Sequence, residues 1–203
     1  MPRTREDGSR RRGTPSKGDL RERAILDAAE QQLAGGPEGI TVETLAKAAG
    51  ISRGAFYFYF GSRNDVLAAL VERTVTTLRA EVDAADAAAA PADALREGVR
   101  HTARMWREHG PVMRVAVELS PTVPAVDEAW RSAVDALAAT TRRIAERAGV
   151  PAGTGPTDAG ALTTALVWMT ERTFYQATVT GTSLDEATTT LVHVWLTALG
   201  LRE

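Results

Sequence analysis

The 203-residue chain contains no cysteine. That one absence removes disulfides, thiolate metal sites and cysteine nucleophiles. Histidine is nearly as scarce, with only His101, His109 and His193. His101 and His109 lie eight residues apart, about two helical turns, too far to chelate without a further ligand. No metal and no cofactor are therefore expected. No apolar run reaches membrane-spanning length. No apolar segment follows the basic N-terminus, so a secretory signal is not expected and a cytoplasmic protein is the simplest reading. Runs of alternating β-branched residues are missing too, and alanine, leucine, arginine and glutamate dominate, so an all-α fold is expected. Enzyme signatures are lacking as well. GSRRRGTP (8–15) has no P-loop lysine, GTGPTDAG (153–160) follows no strand, and the second half holds no cluster of titratable groups.

Aromatic residues make up only 5% of the chain, yet Phe56, Tyr57, Phe58, Tyr59 and Phe60 stand in an unbroken run. They fall within LAKAAGISRGAFYFYFGSRND (45–65), which reads as a short helix, a glycine turn and a second short helix. One small helix cannot bury five aromatics, so something outside the fold is expected to contact part of them. DNA is the best candidate. Charge points the same way. Through residue 79 thirteen Lys/Arg face ten Asp/Glu, whereas the remainder has eleven against sixteen. A mildly basic front and an acidic back suit a DNA-binding head on a body that does not touch DNA.

Residues 1–18 carry Arg3, Arg5, Arg10, Arg11, Arg12 and Lys17 among Gly, Ser and Pro, and nothing there can pack. This segment is expected to be a disordered basic arm, either solubilising or following a DNA backbone. The first helix is predicted over 19–33, with Asp19 and Glu22 at capping-box spacing and Leu20, Ile25, Ala28 and Leu33 on its apolar stripe. Thr41 caps the second helix and Gly50 ends it in a left-handed turn. Ser52 caps a third that stops near Phe60. Ser62 with Asp65 opens a fourth, expected to end near Ala80. A fifth follows Pro91, Pro111, Pro121 and Pro124 segment the next stretch, and a long helix is predicted over 126–147. After a Gly/Pro/Thr loop at 149–156 the eighth helix runs over about 157–179, and the ninth is capped by Ser183 and ended by Gly200. About nine helices result: a helix-turn-helix head over 19–65 and a helical body over 66–203.

Side-chain chemistry assigns roles in the head. Phe56 and Phe60, four apart, share one helix face and form the expected core pair. Tyr57 and Tyr59 suit phosphate oxygens, and Phe58 suits a thymine methyl. Arg53 suits guanine O6 and N7, and Gly54 and Ala55 permit close backbone approach. Thr41 and Ser52 sit at helix N-termini that favour a phosphate, and Arg63 is a further phosphate candidate. The alternative for the two tyrosines is packing against neighbouring helices.

These residues carry a resemblance. The stretch 25–70 resembles the DNA-binding domain of TetR-family transcriptional repressors, with Thr41, Leu45, Ala46, Gly50, Ile51, Phe56, Tyr57, Phe60, Ser62 and Leu67 at the pattern's positions. Tyr59 stands where a histidine is frequent, and Arg63 where a lysine is usual. ISRGAFYFYF, WMTERTFY (168–175) and LVHVWLTALG (191–200) are similar to the ethionamide-resistance-repressor branch. The resemblance implies a regulator bound to double-stranded DNA at a palindromic operator, and a homodimer joined through its eighth and ninth helices. It also implies a small apolar effector in a channel among the fifth, seventh and eighth helices. Carried over by position, that channel would be lined by Trp106, Met113, Val167, Thr170, Tyr175 and Trp195. Two polar positions of the branch are Val167 and Thr170 here, which points to a more apolar ligand. Glu171 and Arg172 are expected to form a structural ion pair. The rival reading is a helical ligand-binding scaffold that does not bind DNA.

Overall fold

The computed structural model describes residues 16–201 apart from residue 89. Most of the expected basic arm therefore lies outside the described residues, while Lys17 and Gly18 belong to the first helix. The described residues form nine α-helices, a short 3-10 turn at Pro37–Gly39 and no strand. The helices are α1 Lys17–Leu33, α2 Val42–Ala48, α3 Arg53–Phe56, α4 Arg63–Ala88, α5 Pro91–Glu108, α6 Gly110–Leu119, α7 Pro124–Arg147, α8 Ala159–Thr180 and α9 Leu184–Ala198. No helix among the described residues is long and apolar enough to cross a membrane.

The helix ends follow from local chemistry, with three corrections to the sequence reading. α1 starts earlier than predicted because Ser16, not Asp19, is its cap. The Ser16 hydroxyl accepts from the Asp19 N–H at 3.1 Å, and the Asp19 carboxylate accepts from the Ser16 N–H at 2.8 Å. α3 is only four residues long. Past Phe56 the chain tightens, with Phe58 N–H donating to Ala55 O and Tyr59 N–H to Phe56 O. α4 runs on to Ala88 because its alanine-rich second half offers no breaker before Pro91. Several other starts use serine or proline. Ser183 caps α9, and prolines occupy the first turns of α5, α6 and α7, where no amide donor is missed.

The turn between α2 and α3 needs glycine. Gly50 has φ of 67°, and Ile51 N–H reaches back to Ala46 O at 3.0 Å, a Schellman closure that satisfies the end of α2. Ile51 then packs against the core. Helices α1 to α3 enclose Ile25, Ala29, Leu33, Ile40, Leu45, Ala46, Phe56 and Phe60. The first turns of α4 close this core with Val66, Leu67, Leu70 and Val71. Its later turns pack on α5 and α7, which with α6, α8 and α9 complete the body.

Polar contacts fasten α1 to this frame. Arg73 of α4 pairs with Asp27 at 2.7 Å and Glu30 at 2.8 Å. The Glu30 carboxylate also meets His109, the residue between α5 and α6. Glu30 thus ties the α1–α4 contact to a corner of the body.

Phe56 is fully buried, so Phe56→Ala is expected to cost about 3–5 kcal/mol. Phe58 is 87% exposed, and Phe58→Ala is expected to stay within about 0.5 kcal/mol. Urea denaturation of both variants tests the pair, and equal losses would mean that the aromatic run packs otherwise.

Candidate nucleic-acid interface and ligand cavity

The two helices at the tip present one open face. At its edge Thr41 accepts from the Thr44 N–H at 3.1 Å, and Thr44 returns the bond by accepting from the Thr41 N–H at 3.0 Å. Ser52 accepts from the Ala55 N–H at 3.1 Å, so its own hydroxyl proton is available to an outside acceptor. Arg53 is exposed, and its interaction with the Tyr57 hydroxyl pushes the guanidinium above its ordinary pKa. The two residues lie four apart, about one helical turn, and both are exposed.

Within the aromatic run the core pair is as expected. Phe56 and Phe60 are buried with ring centroids 6.0 Å apart. Tyr57 packs edge-on against Phe56 yet is 48% exposed, and Phe58 is 87% exposed. Tyr59 takes the middle course, half-buried against the core. A methyl added at Gly54 would meet nothing nearer than the Ser52 hydroxyl at 3.9 Å. Nothing inside the chain demands glycine there. Ala55 is half-buried beside it. Arg63 is engaged within the fold, donating to the Ile40 carbonyl at 3.1 Å and the Pro37 carbonyl at 3.5 Å. It holds the start of α4 to the loop before α2.

The body contains an apolar slot with a free volume of about 50 Å³. That is room for a few waters only. Trp106, Met113, Val167, Thr170 and Trp195 line it. Tyr175 does not. It stands behind Trp106 with centroids 6.4 Å apart, and its hydroxyl donates to Glu118 at 3.3 Å. The slot is also broader in its walls than the three helices named from sequence. Val75, Leu78 and Val82 of α4, Met113 of α6 and Trp195 of α9 all contribute. Trp130 of α7 adds a third indole to the wall. The expected end of this helix near Ala80 left out Val82 alone; Val75 and Leu78 lay within it, and the spacing of 75, 78 and 82 is that of one helix face.

Two polar features sit in this wall. The Trp195 indole N–H donates to the Thr170 hydroxyl at 2.8 Å, which satisfies the buried donor and joins α9 to α8. Glu171 is 7% exposed and its Oε1 has no hydrogen-bond partner. An orphaned buried oxygen costs about 1–3 kcal/mol. Burial raises the Glu171 pKa above the usual carboxylate range, and the charge of Arg172 works against that shift. The expected ion pair with Arg172 is not formed. Arg172 is exposed, with its guanidinium 5.2 Å from the centroid of the Tyr175 ring. A lone acid in the apolar stretch ALVWMTERTF (165–174) was the signal for this residue. Among the described residues, no group of three or more His, Asp or Glu is placed to hold a metal ion.

Comparison with known proteins agrees with both parts. Residues 25–70 match the family described as bacterial regulatory proteins, tetR family. Residues 95–200 match the C-terminal domain of the transcriptional regulator EthR. The HTH-type transcriptional regulator EthR of Mycobacterium tuberculosis is 39% identical, over 94% of this chain and 91% of its own. A TetR-family transcriptional regulator from Syntrophomonas wolfei superposes with a TM-score of 0.74 at 15% identity, covering 90% of this chain and 96% of that one. Thermus thermophilus FadR, a TetR-family repressor solved with lauroyl-CoA, gives 0.67 at 22% identity over 90% and 96% of the two chains. The chain therefore belongs to the TetR family of helix-turn-helix transcriptional regulators, in its EthR branch.

Proposed function

We propose that the protein is a homodimeric repressor acting in the cytoplasm on a palindromic operator. Two copies of the α3 face occupy successive major grooves about 34–36 Å apart. A small apolar molecule in the slot of the body releases them. The observation that carries this reading is the open face on which Arg53 stands beside Tyr57 and Phe58, with Phe58 87% exposed. No internal contact accounts for such exposure of a phenylalanine.

The division of labour follows the chemistry of each group. Arg53 reads guanine through two parallel hydrogen bonds, and Phe58 meets a thymine methyl. Thr41, Ser52, Tyr57 and Tyr59 hold phosphates through their hydroxyls, with Tyr59 reaching out from its half-buried position. Gly54 and Ala55 let the backbone close on the groove. Arg63 anchors α4 first, and only its remaining N–H groups serve a phosphate.

Dimerisation through α8 and α9 is supported by exposed apolar side chains. Among the described residues the large exposed apolar groups are Leu20, Tyr57, Phe58, Trp168 and Val179. Trp168 and Val179 both lie on α8, eleven residues or about three turns apart, and so on one face. A second copy of the same face would cover them.

Release is a matter of space. The slot at about 50 Å³ is far below the roughly 300 Å³ of a small-molecule pocket, so a ligand must push its walls apart. One wall is α4, whose first turns belong to the head core. The ligand releases DNA only by binding the displaced arrangement more tightly than the operator-bound one.

Selection of sheared host genomic DNA by the purified protein at physiological salt is the first test. A recovered palindrome near a few promoters supports the reading, and enrichment of nothing by ligand-free protein refutes it. On that operator Arg53→Ala is expected to cost about 1–3 kcal/mol and to relax specificity at one base. Tyr57→Phe should weaken binding to all sequences alike, and competition titrations giving the reverse pattern would overturn these roles. Trp168→Glu is expected to yield monomers in sedimentation velocity and to lose operator binding. A persistent Trp168→Glu dimer would place the interface elsewhere.

A further inference from the structure

The walls of the slot are mostly apolar, and one oxygen on them is left without a partner. Thr102 donates to the Gly98 carbonyl at 2.9 Å and Thr141 to the Leu137 carbonyl at 3.0 Å, so both hydroxyl protons are used within their own helices. Thr170 is engaged as the acceptor for the Trp195 indole. Glu171 differs from all three. It lines the slot, it is 93% buried by its 7% exposure, and its Oε1 is without a partner. Its neighbour Arg172 faces Tyr175 instead.

An empty slot with one unanswered carboxylate oxygen describes its own complement. A fatty-acid carboxylate would bring two negative charges together in apolar surroundings. An ester or ketone offers only acceptors to an oxygen that already lacks a donor. A protonated amine supplies both the donor and the countercharge, and its hydrocarbon portion matches the Val, Leu, Met and Trp walls. We propose that Glu171 is the polar anchor of the slot and that the ligand is a lipophilic amine. Its ammonium group donates to Glu171 Oε1 while its hydrocarbon lies between α4, α5 and α7. This rests on the slot being the effector site proposed above.

The test titrates the full chain, wild type and Glu171→Gln, with decylamine, decanol and decanoate below their aggregation limits. Tryptophan fluorescence reports binding through Trp106, Trp130 and Trp195, and calorimetry gives the affinities. Decylamine is expected to bind wild type about tenfold or more tightly than decanol, with decanoate weakest. Glu171→Gln should bring decylamine down to the level of decanol and leave decanol unchanged. Glu171→Asp, which keeps the charge, should retain the amine preference at reduced affinity. Circular dichroism establishes that each variant is folded. An amine preference that survives Glu171→Gln, or a wild type that takes decanol or decanoate as tightly as decylamine, overturns the anchor and leaves the slot as a ligand site. If none of the three binds wild type, the effector-site reading falls with it.

Discussion

Helix α4 is packed at both ends, by different cores. Val66, Leu67, Leu70 and Val71 are buried among the anchors of the helix-turn-helix, and Val75, Leu78 and Val82 form a wall of the slot in the body. At 26 residues the helix is about 39 Å long. A packed helix of that length transmits displacement as a rod, because bending it would break its backbone ladder and open gaps in a close-packed interior. Whatever shifts α4 at the slot therefore also shifts the helix-turn-helix packed on its first turns. The Arg73 pairs with Asp27 and Glu30, and the Glu30 contact with His109, run alongside as a second attachment. Both attachments join the head to the body, so the head has little freedom to tilt without involving one of them.

The two exposed apolar regions follow from the same economy. A core of this size buries most large apolar groups, and apart from Leu20 on α1 the large exposed ones among the described residues lie at the tip and on α8. At the tip, the tight turn after Phe56 forces Phe58 outward while Phe60 returns to the core. On α8, Phe174, Leu166 and Val167 face inward, and the helical period then leaves Trp168 and Val179 on the far side. Exposure at both places is the geometric remainder of burying the other face.

Glu171 stands apart from the other polar groups on the wall of the slot. The threonines of the slot wall satisfy themselves on their own helix backbones or on an indole. Glu171 does neither, and it does so on the wall of the slot. Unsatisfied buried groups gather where structure yields to binding.

Much of this was legible in the sequence because it is local. Thr41, Gly50 and Ser52 act within four residues of themselves, so capping and turn chemistry located the two tip helices without knowledge of the fold. The core pair Phe56 and Phe60 followed from spacing alone, and all-α architecture from composition and period. Resemblance placed five of the six expected slot residues on its wall, since those positions follow the order of helices. What the sequence left open depends on distance in space. Ser16 rather than Asp19 caps α1 because both offer the same spacing and only the geometry selects one. Tyr175 turns behind Trp106, Arg63 turns inward to Ile40, and Arg172 lies on Tyr175 instead of reaching Glu171. Each of these is a long side chain with several reachable partners, and the partner chosen is set by helices distant in sequence. The contribution of α4 to the slot, which joins the two halves of the molecule, belongs to this second class. Periodicity marks which face of a helix is buried, and only tertiary packing decides what that face is buried against.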